Sequence, residues 1–156
     1  MPHIHDKIDF TAEVFIVYKN RVLLRMHEKY HTWLGVGGHI ELDEDPNQAA
    51  IREVKEEVGL DVTLCGSVNH EYDNLDYHEL IPPIFLNRHR VSPTHEHITF
   101  VYFASALTDV IDQANVIEHI PEIKWFSLED LSNLEYGVIG NIRMCGEEAL
   151  RKLGET

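Results

Sequence analysis

Cysteine, cationic residues and long apolar runs are all scarce in this chain. Only Cys65 and Cys145 occur, without paired spacing, which argues against a disulfide framework and against a zinc ribbon. Lys and Arg number 13 against 27 Asp and Glu, for a formal net charge of -14. Such a surface repels nucleic acid and anionic membranes unless its cations are clustered. A polyanionic substrate would be repelled too, unless divalent cations held the site. No apolar run approaches the roughly 20 residues of a bilayer span, and Met1 to Lys7 has no apolar leader core, so the cytoplasm is the expected compartment. Repeats, low-complexity tracts and linker-like stretches are missing as well, and 156 residues suit one domain better than two. The expectation is a single domain over 1–156, with 1–9 and 154–156 as tails. A homodimer is left open.

What is present is ordinary for a globular chain: 44% hydrophobic and 26% charged residues. Phe10 to Tyr18 and Arg21 to Met26 read as strands joined by a tight turn at Lys19-Asn20. Thr32 to Val36 is a short apolar segment entering Gly37-Gly38. Asp45-Pro46 has the form of a helix start, an N-cap acceptor with proline at the first helical position. That helix is predicted to run from Pro46 to about Val58 and stop at Gly59. Val62 to His70, Ile84 to Val91 and Ile98 to Ala106 read as strands, with Glu71 to Pro83 as a loop. Glu122 to Phe126 is a short strand candidate, and Ser127 to Asp130 has the spacing of a capping box. Asn141 to Leu153 reads as a terminal amphipathic helix. The order predicts an α/β fold, a mixed β-sheet sandwiched between α-helices.

The segment Gly38 to Leu60, GHIELDEDPNQAAIREVKEEVGL, carries the chemistry. At 100° per residue Ala50, Ile51, Val54 and Val58 share one helix face and are predicted to bury against the sheet. Glu53, Glu56 and Glu57, spaced i, i+3 and i+4, share the neighbouring face and repel one another by roughly 0.2–0.5 kcal/mol per close pair. They stand near the helix C-terminus, the unfavourable end of its dipole for anions. A solvated acidic face would account for a generic Glu-rich helix, with Arg52 and Lys55 softening the repulsion. A divalent-cation site is the alternative, because hard carboxylate oxygens suit magnesium. Gly37-Gly38 just ahead of the helix lets backbone approach an ion or a phosphate closely.

The order Gly38, five residues, Glu44, seven residues, Arg52-Glu53-Val54, one residue, Glu56-Glu57, one residue, Gly59-Leu60 resembles the complete signature of the Nudix hydrolase family. Composition alone would give such a match with a chance on the order of 10⁻⁷ to 10⁻⁶. The resemblance extends, less specifically, over Phe10 to Leu134. It implies the Nudix fold and a magnesium- or manganese-dependent pyrophosphohydrolase acting on a nucleoside triphosphate or another nucleoside diphosphate-linked small molecule. Carried onto this chain, it implies Glu53, Glu56 and Glu57 as metal-binding carboxylates, with the Gly37 carbonyl as a further ligand. Glu53 takes the family position of the general base, Arg52 orients the neighbouring carboxylate, and Glu44 supports the loop or holds a second metal. Gly38 and His39 fall where the substrate's diphosphate is bound.

Outside the box, Glu96 of His95-Glu96-His97 is the candidate for an additional carboxylate aimed across the cleft. A polar loop at a strand entry is the competing reading, the better one for both histidines. Tyr77, seventeen residues beyond Leu60, resembles the tyrosine of dinucleoside-polyphosphate hydrolases and is a substrate-binding candidate for that alternative. Trp33 and Trp125 are expected in the core rather than stacked on a base. Two rivals remain on the same fold: a catalytically silent sensor domain, disfavoured by the full set of carboxylates, and a diphosphate isomerase, disfavoured by the regular box.

Overall fold

The computed structural model describes residues 4–114, 116 and 119–155. In chain order the elements are β1 (Ile8–Tyr18), β2 (Arg21–Met26), β3 (Trp33–Leu34), β4 (Val36–His39), α1 (Pro46–Val58), β5 (Val62–Leu64), β6 (Phe85–Ser92), β7 (His95–Ala106), β8 (Ile123–Phe126), α2 (Leu128–Ser132) and α3 (Gly140–Leu153). At the centre β1 and β7 run parallel, in register from Ile8 opposite Glu96 to Val17 opposite Ser105. Every other pairing is antiparallel, so the sheet is mixed, as the element order predicts.

One edge of β1 is shared by two strands. β4 pairs with its first half, Thr11 opposite His39 through Val14 opposite Val36. β2 takes its last residues, Ile16 opposite Leu23 through Tyr18 opposite Arg21. The apolar segment expected over Thr32 to Val36 therefore divides at Gly35: β3 stays with β2 and β4 crosses to β1. The outer edge of β7 is divided in the same way, between β6 at its start and β5 at its end.

Both faces of the sheet are covered, which is why Val14, Phe15, Ile16 and Val17 are all buried in one unbroken apolar run. Ala12, Val14, Ile16, Tyr102 and Ala104 pack with Ala49, Ala50, Val54 and Val58 of α1. Phe15, Val17, Val101, Phe103 and Phe126 pack with Ile142, Cys145 and Ala149 of α3. Trp33 is buried in this second layer, where its indole N–H donates to the Tyr136 carbonyl at 2.9 Å. Trp125 packs against the first.

Several boundaries differ from the sequence reading for identifiable reasons. β1 starts at Ile8 and β7 at His95, because parallel pairing extends both strands beyond their apolar stretches. Ile8 and Asp9 thus belong to the sheet, and Glu96 is a strand residue rather than a loop residue. β5 ends at Leu64 instead of reaching His70. Gly66 follows with φ 144°, and the chain turns away into the polar stretch before Ile81. Among the described residues no helix is long and apolar enough to cross a membrane.

Candidate active site

The helix that carries the acidic residues is fixed at both ends by its own sequence. Asp45 accepts from the Gln48 N–H at 2.8 Å, and the Gln48 side chain accepts from the Asp45 N–H at 2.9 Å, a reciprocal cap preceding Pro46. At the other end Gly59 adopts φ 71° and its N–H reaches the Lys55 carbonyl, a left-handed stop that glycine takes without strain. Asn47 moors the first turn: its side chain accepts from the Ile81 N–H and donates to the Ile81 carbonyl and to the Tyr102 hydroxyl.

The buried residues of α1 are Ala49, Ala50, Glu53, Val54, Glu57 and Val58. Ile51, expected on the buried face, is 46% exposed. The helix is rolled toward the glycine-bearing strand β4, so two of its carboxylates enter the interior instead of Ile51. Glu53 and Glu57 retain only 4% and 7% of their exposure. Buried carboxylates persist when donors meet them, and each has such donors. The Glu57 carboxylate accepts from the Gly37 N–H at 3.1 Å and lies 3.2 Å from Arg25 Nε. Arg25, on β2, also reaches toward the Gly37 carbonyl at 3.4 Å.

Arg52 gathers the other acids. It forks onto Glu44 at 2.6 and 2.9 Å, donates to Glu53 and Glu56 at 3.0 Å each, and donates to the His39 carbonyl at 3.0 Å. These charge-assisted bonds hold the Glu44 carboxyl below the usual carboxylate range, chiefly through the Arg52 hydrogen bond, and they push the guanidinium well above its own usual value. The repulsion expected among the helix carboxylates is thus offset by Arg52 and Arg25. Lys55 takes no part; it turns to Asp61 at 3.1 Å.

The two glycines have separate reasons. A Cβ on Gly38 would come within 2.5 Å of the Glu53 carboxylate, so only glycine leaves room for that group against the strand. A Cβ on Gly37 would overlap the Ala12 carbonyl oxygen, so this glycine serves the β1–β4 contact. Glu53, Glu56, Glu57, Glu44 and the Gly37 carbonyl all offer oxygen, although Arg52 and Arg25 hold those oxygens in this structure and the metal-type cluster among the described residues is Asp9, His95 and His97 instead. Such hard donors fit magnesium or manganese.

The remaining candidates lie elsewhere. Glu96 is forked by Arg88 across β6 and β7 at 2.6 and 3.0 Å, and this pairing lowers its pKa. It lines a hollow with Lys7, Arg88, Pro93 and His95. Tyr77 is half exposed in the loop before Ile81, where its hydroxyl donates to Glu79 at 2.7 Å. His39 turns its ring away from Glu53, toward Asp9 and His97. Sequence reasoning overlooked Arg25. The available signal was a charge two residues after Leu23, on the strand face directed at α1.

A mixed sheet between helices, with a glycine-to-helix carboxylate cluster, defines a hydrolase of the Nudix type. The family model described as NUDIX domain matches residues 10–144. A hydrolase of the NUDIX family from Clostridium perfringens is 41% identical and superposes with a TM-score of 0.83 over 93% of this chain and 97% of that one. The chain belongs to the Nudix hydrolase family. A MutT NUDIX hydrolase from Burkholderia pseudomallei, 20% identical, shares the fold at a TM-score of 0.62 over 94% of this chain and 98% of that one. An 8-oxo-dGTP diphosphatase from Proteus vulgaris is 44% identical over 73 residues, which span 42% of this chain and 65% of that protein. The match therefore takes in less than two thirds of that relative's length.

Proposed function

We propose that this Nudix hydrolase is a magnesium- or manganese-dependent pyrophosphohydrolase that cleaves a phosphoanhydride bond in a nucleoside triphosphate or another nucleoside diphosphate-linked substrate. The observation that carries the reading is the Arg52 hub, which holds Glu44, Glu53 and Glu56 together beside the Gly38 backbone. The partial match to an 8-oxo-dGTP diphosphatase favours triphosphates among the substrates.

Glu53, Glu56 and Glu57, with the Gly37 carbonyl, would hold the ion, and Glu44 would support the loop or a second ion. Bound there, magnesium or manganese would neutralise the diphosphate and acidify a water. Glu53 would take a proton from that water, a role supported by its burial and by Arg52 on Oε1. Arg52 fixes the direction in which the carboxylates point. Gly38 and His39 supply the backbone that the diphosphate approaches. Tyr77, from the loop before Ile81, would contact the nucleoside-bearing end. Glu96 would complete the site from β7, which requires it to exchange Arg88 for the cleft.

The test is a product assay on nucleoside triphosphates and nucleoside diphosphate derivatives, with each metal and with excess EDTA. Hydrolysis of at least one nucleotide is expected with metal and none with EDTA. Glu53→Gln and Glu57→Gln should each slow it by about 10² to 10⁴-fold. Full activity in EDTA, or near-parental rates in both variants, sinks the reading. Glu96→Gln should cost at least about tenfold; parental rates at both saturating and limiting metal would remove Glu96 from the site.

A further inference from the structure

On the sheet face opposite α1, the first residues of the two central strands carry histidines and one buried aspartate. Asp9 of β1 stands opposite His97 of β7, and His97 stands opposite His89 of β6. His95 precedes His97 by two residues and shares its face. His39 of β4 joins from the other side, opposite Thr11. The imidazoles pack edge to face, His39 on His97 at 5.0 Å, His95 on His97 at 5.3 Å and His89 on His97 at 5.7 Å between centroids.

We propose that Asp9, His95 and His97 form a metal site of their own, separate from the helix carboxylates and suited to a first-row transition ion such as zinc. One ligand atom from each of the three lies within 4.8 Å of the others. Asp9 is 1% exposed and His95 6%. The Asp9 carboxylate is oriented by the His5 N–H, which donates to Oδ1 at 2.8 Å. Oδ2 then faces His95 Nε2 at 3.2 Å and His39 Nε2 at 3.5 Å.

The second observation concerns the far side of the His95 ring. Its Nδ1 lies 3.2 Å from the Asp6 carbonyl oxygen. A carbonyl can only accept, so Nδ1 carries the hydrogen, and Nε2 is the nitrogen turned toward Asp9 Oδ2 and the cluster. Metal-binding histidines are held in this way, one ring nitrogen donating to a backbone carbonyl while the other meets the ion. Two imidazoles and a carboxylate match zinc, cobalt or nickel rather than magnesium. Donor atoms around tetrahedral zinc stand about 3.4 Å apart, from bond lengths of roughly 2.0–2.1 Å. The His95–Asp9 separation of 3.2 Å already meets that, and no pair needs to close by more than about 1.4 Å. His39, whose Nε2 lies 3.5 Å from Asp9 Oδ2, borders the three without belonging to their set.

The experiment uses untagged, chelator-stripped full-length protein titrated with zinc by calorimetry, and with cobalt by visible absorption, in excess magnesium. One equivalent of zinc should bind despite the magnesium, with the intense cobalt bands of tetrahedral coordination. His97→Ala, at a half-buried position, and Asp9→Asn should each weaken zinc at least tenfold, with folding verified by circular dichroism. Glu57→Gln, which alters the helix site alone, should leave zinc affinity unchanged. Loss of zinc in Glu57→Gln with retention in His97→Ala would assign the ion to the helix carboxylates and overturn the proposal. Failure of the parent to bind zinc over magnesium would also overturn it, leaving a packed histidine–carboxylate cluster.

Discussion

Gly38 and Glu53 occupy each other's space: a single methyl group on the glycine would stand 2.5 Å from the glutamate's carboxylate. The obstructed atoms are the end of a side chain, which can swing aside, whereas at Gly37 the obstruction is the backbone carbonyl of Ala12. The two alanine substitutions should therefore fail differently. Gly38→Ala should fold, with a modest loss of stability, and lose at least about tenfold in kcat as Glu53 is displaced. Gly37→Ala should cost about 3 kcal/mol, the upper end for forced overlap in a packed interior. Urea denaturation alongside steady-state kinetics separates them. Equal stability losses with equal activity losses would contradict the distinction.

Arg52 acts by fork geometry, not by charge alone, since it meets Glu44 through two nitrogens while reaching Glu53 and Glu56. Lysine keeps the charge but has no planar fork. Arg52→Lys should lower kcat about 10- to 100-fold, the range for a residue that orients metal ligands, with a smaller effect on KM. It should also change acid stability. The Glu44 carboxyl is depressed by Arg52 in the folded state, so its stabilisation is present above the ordinary carboxylate pKa and is lost as pH falls through the depressed value. The parent should therefore lose more stability than Arg52→Lys on acidification through that window, measured as Tm against pH.

Glu13 points the other way. Burial raises its pKa, against the Gly35 N–H that it accepts and the charge of Arg25. Below the ordinary carboxylate range both folded and unfolded states are protonated. As pH rises from there through the raised folded value, the unfolded chain gives up its proton first and stability falls. Glu13→Gln keeps an acceptor for Gly35 and removes that decline. It should raise Tm at neutral pH, and by less at acid pH. A lower Tm at neutral pH would show that Arg25 outweighs burial.

The two thiols should differ in reactivity. Cys145 is buried under the sheet, and burial, with a smaller contribution from the Glu13 charge, pushes its pKa up to about 12. Cys65 is half-buried at the end of β5. Because the thiolate is the reactive form, Ellman's reagent should modify Cys65 in the native protein and Cys145 only after denaturation. Prompt reaction of Cys145 in the native state would mean that α3 opens readily.

The sequence alone determined the parts that obey short-range rules. Asp45-Pro46 and Gly59 bound α1 from Pro46 to Val58, because a cap acts within one helical turn. The Ser127 cap forms with Asp130 for the same reason. The order of glycine, glutamates and arginine in the box was enough to imply the family. Tertiary structure alone decided which face of α1 is buried. A helical period cannot rank Ile51 against Glu53 and Glu57 when Arg52, Arg25 and the Gly37 N–H supply partners that make burial of the acids affordable. It also decided that Glu96 meets Arg88 and that Asp9 meets His95. The first follows from the antiparallel pairing of β6 with β7, and the second from the parallel pairing of β1 with β7, whose paired threonines Thr11 and Thr99 are 88 residues apart. No pattern confined to a few neighbouring residues sets the register across that distance; the packing of both apolar faces does.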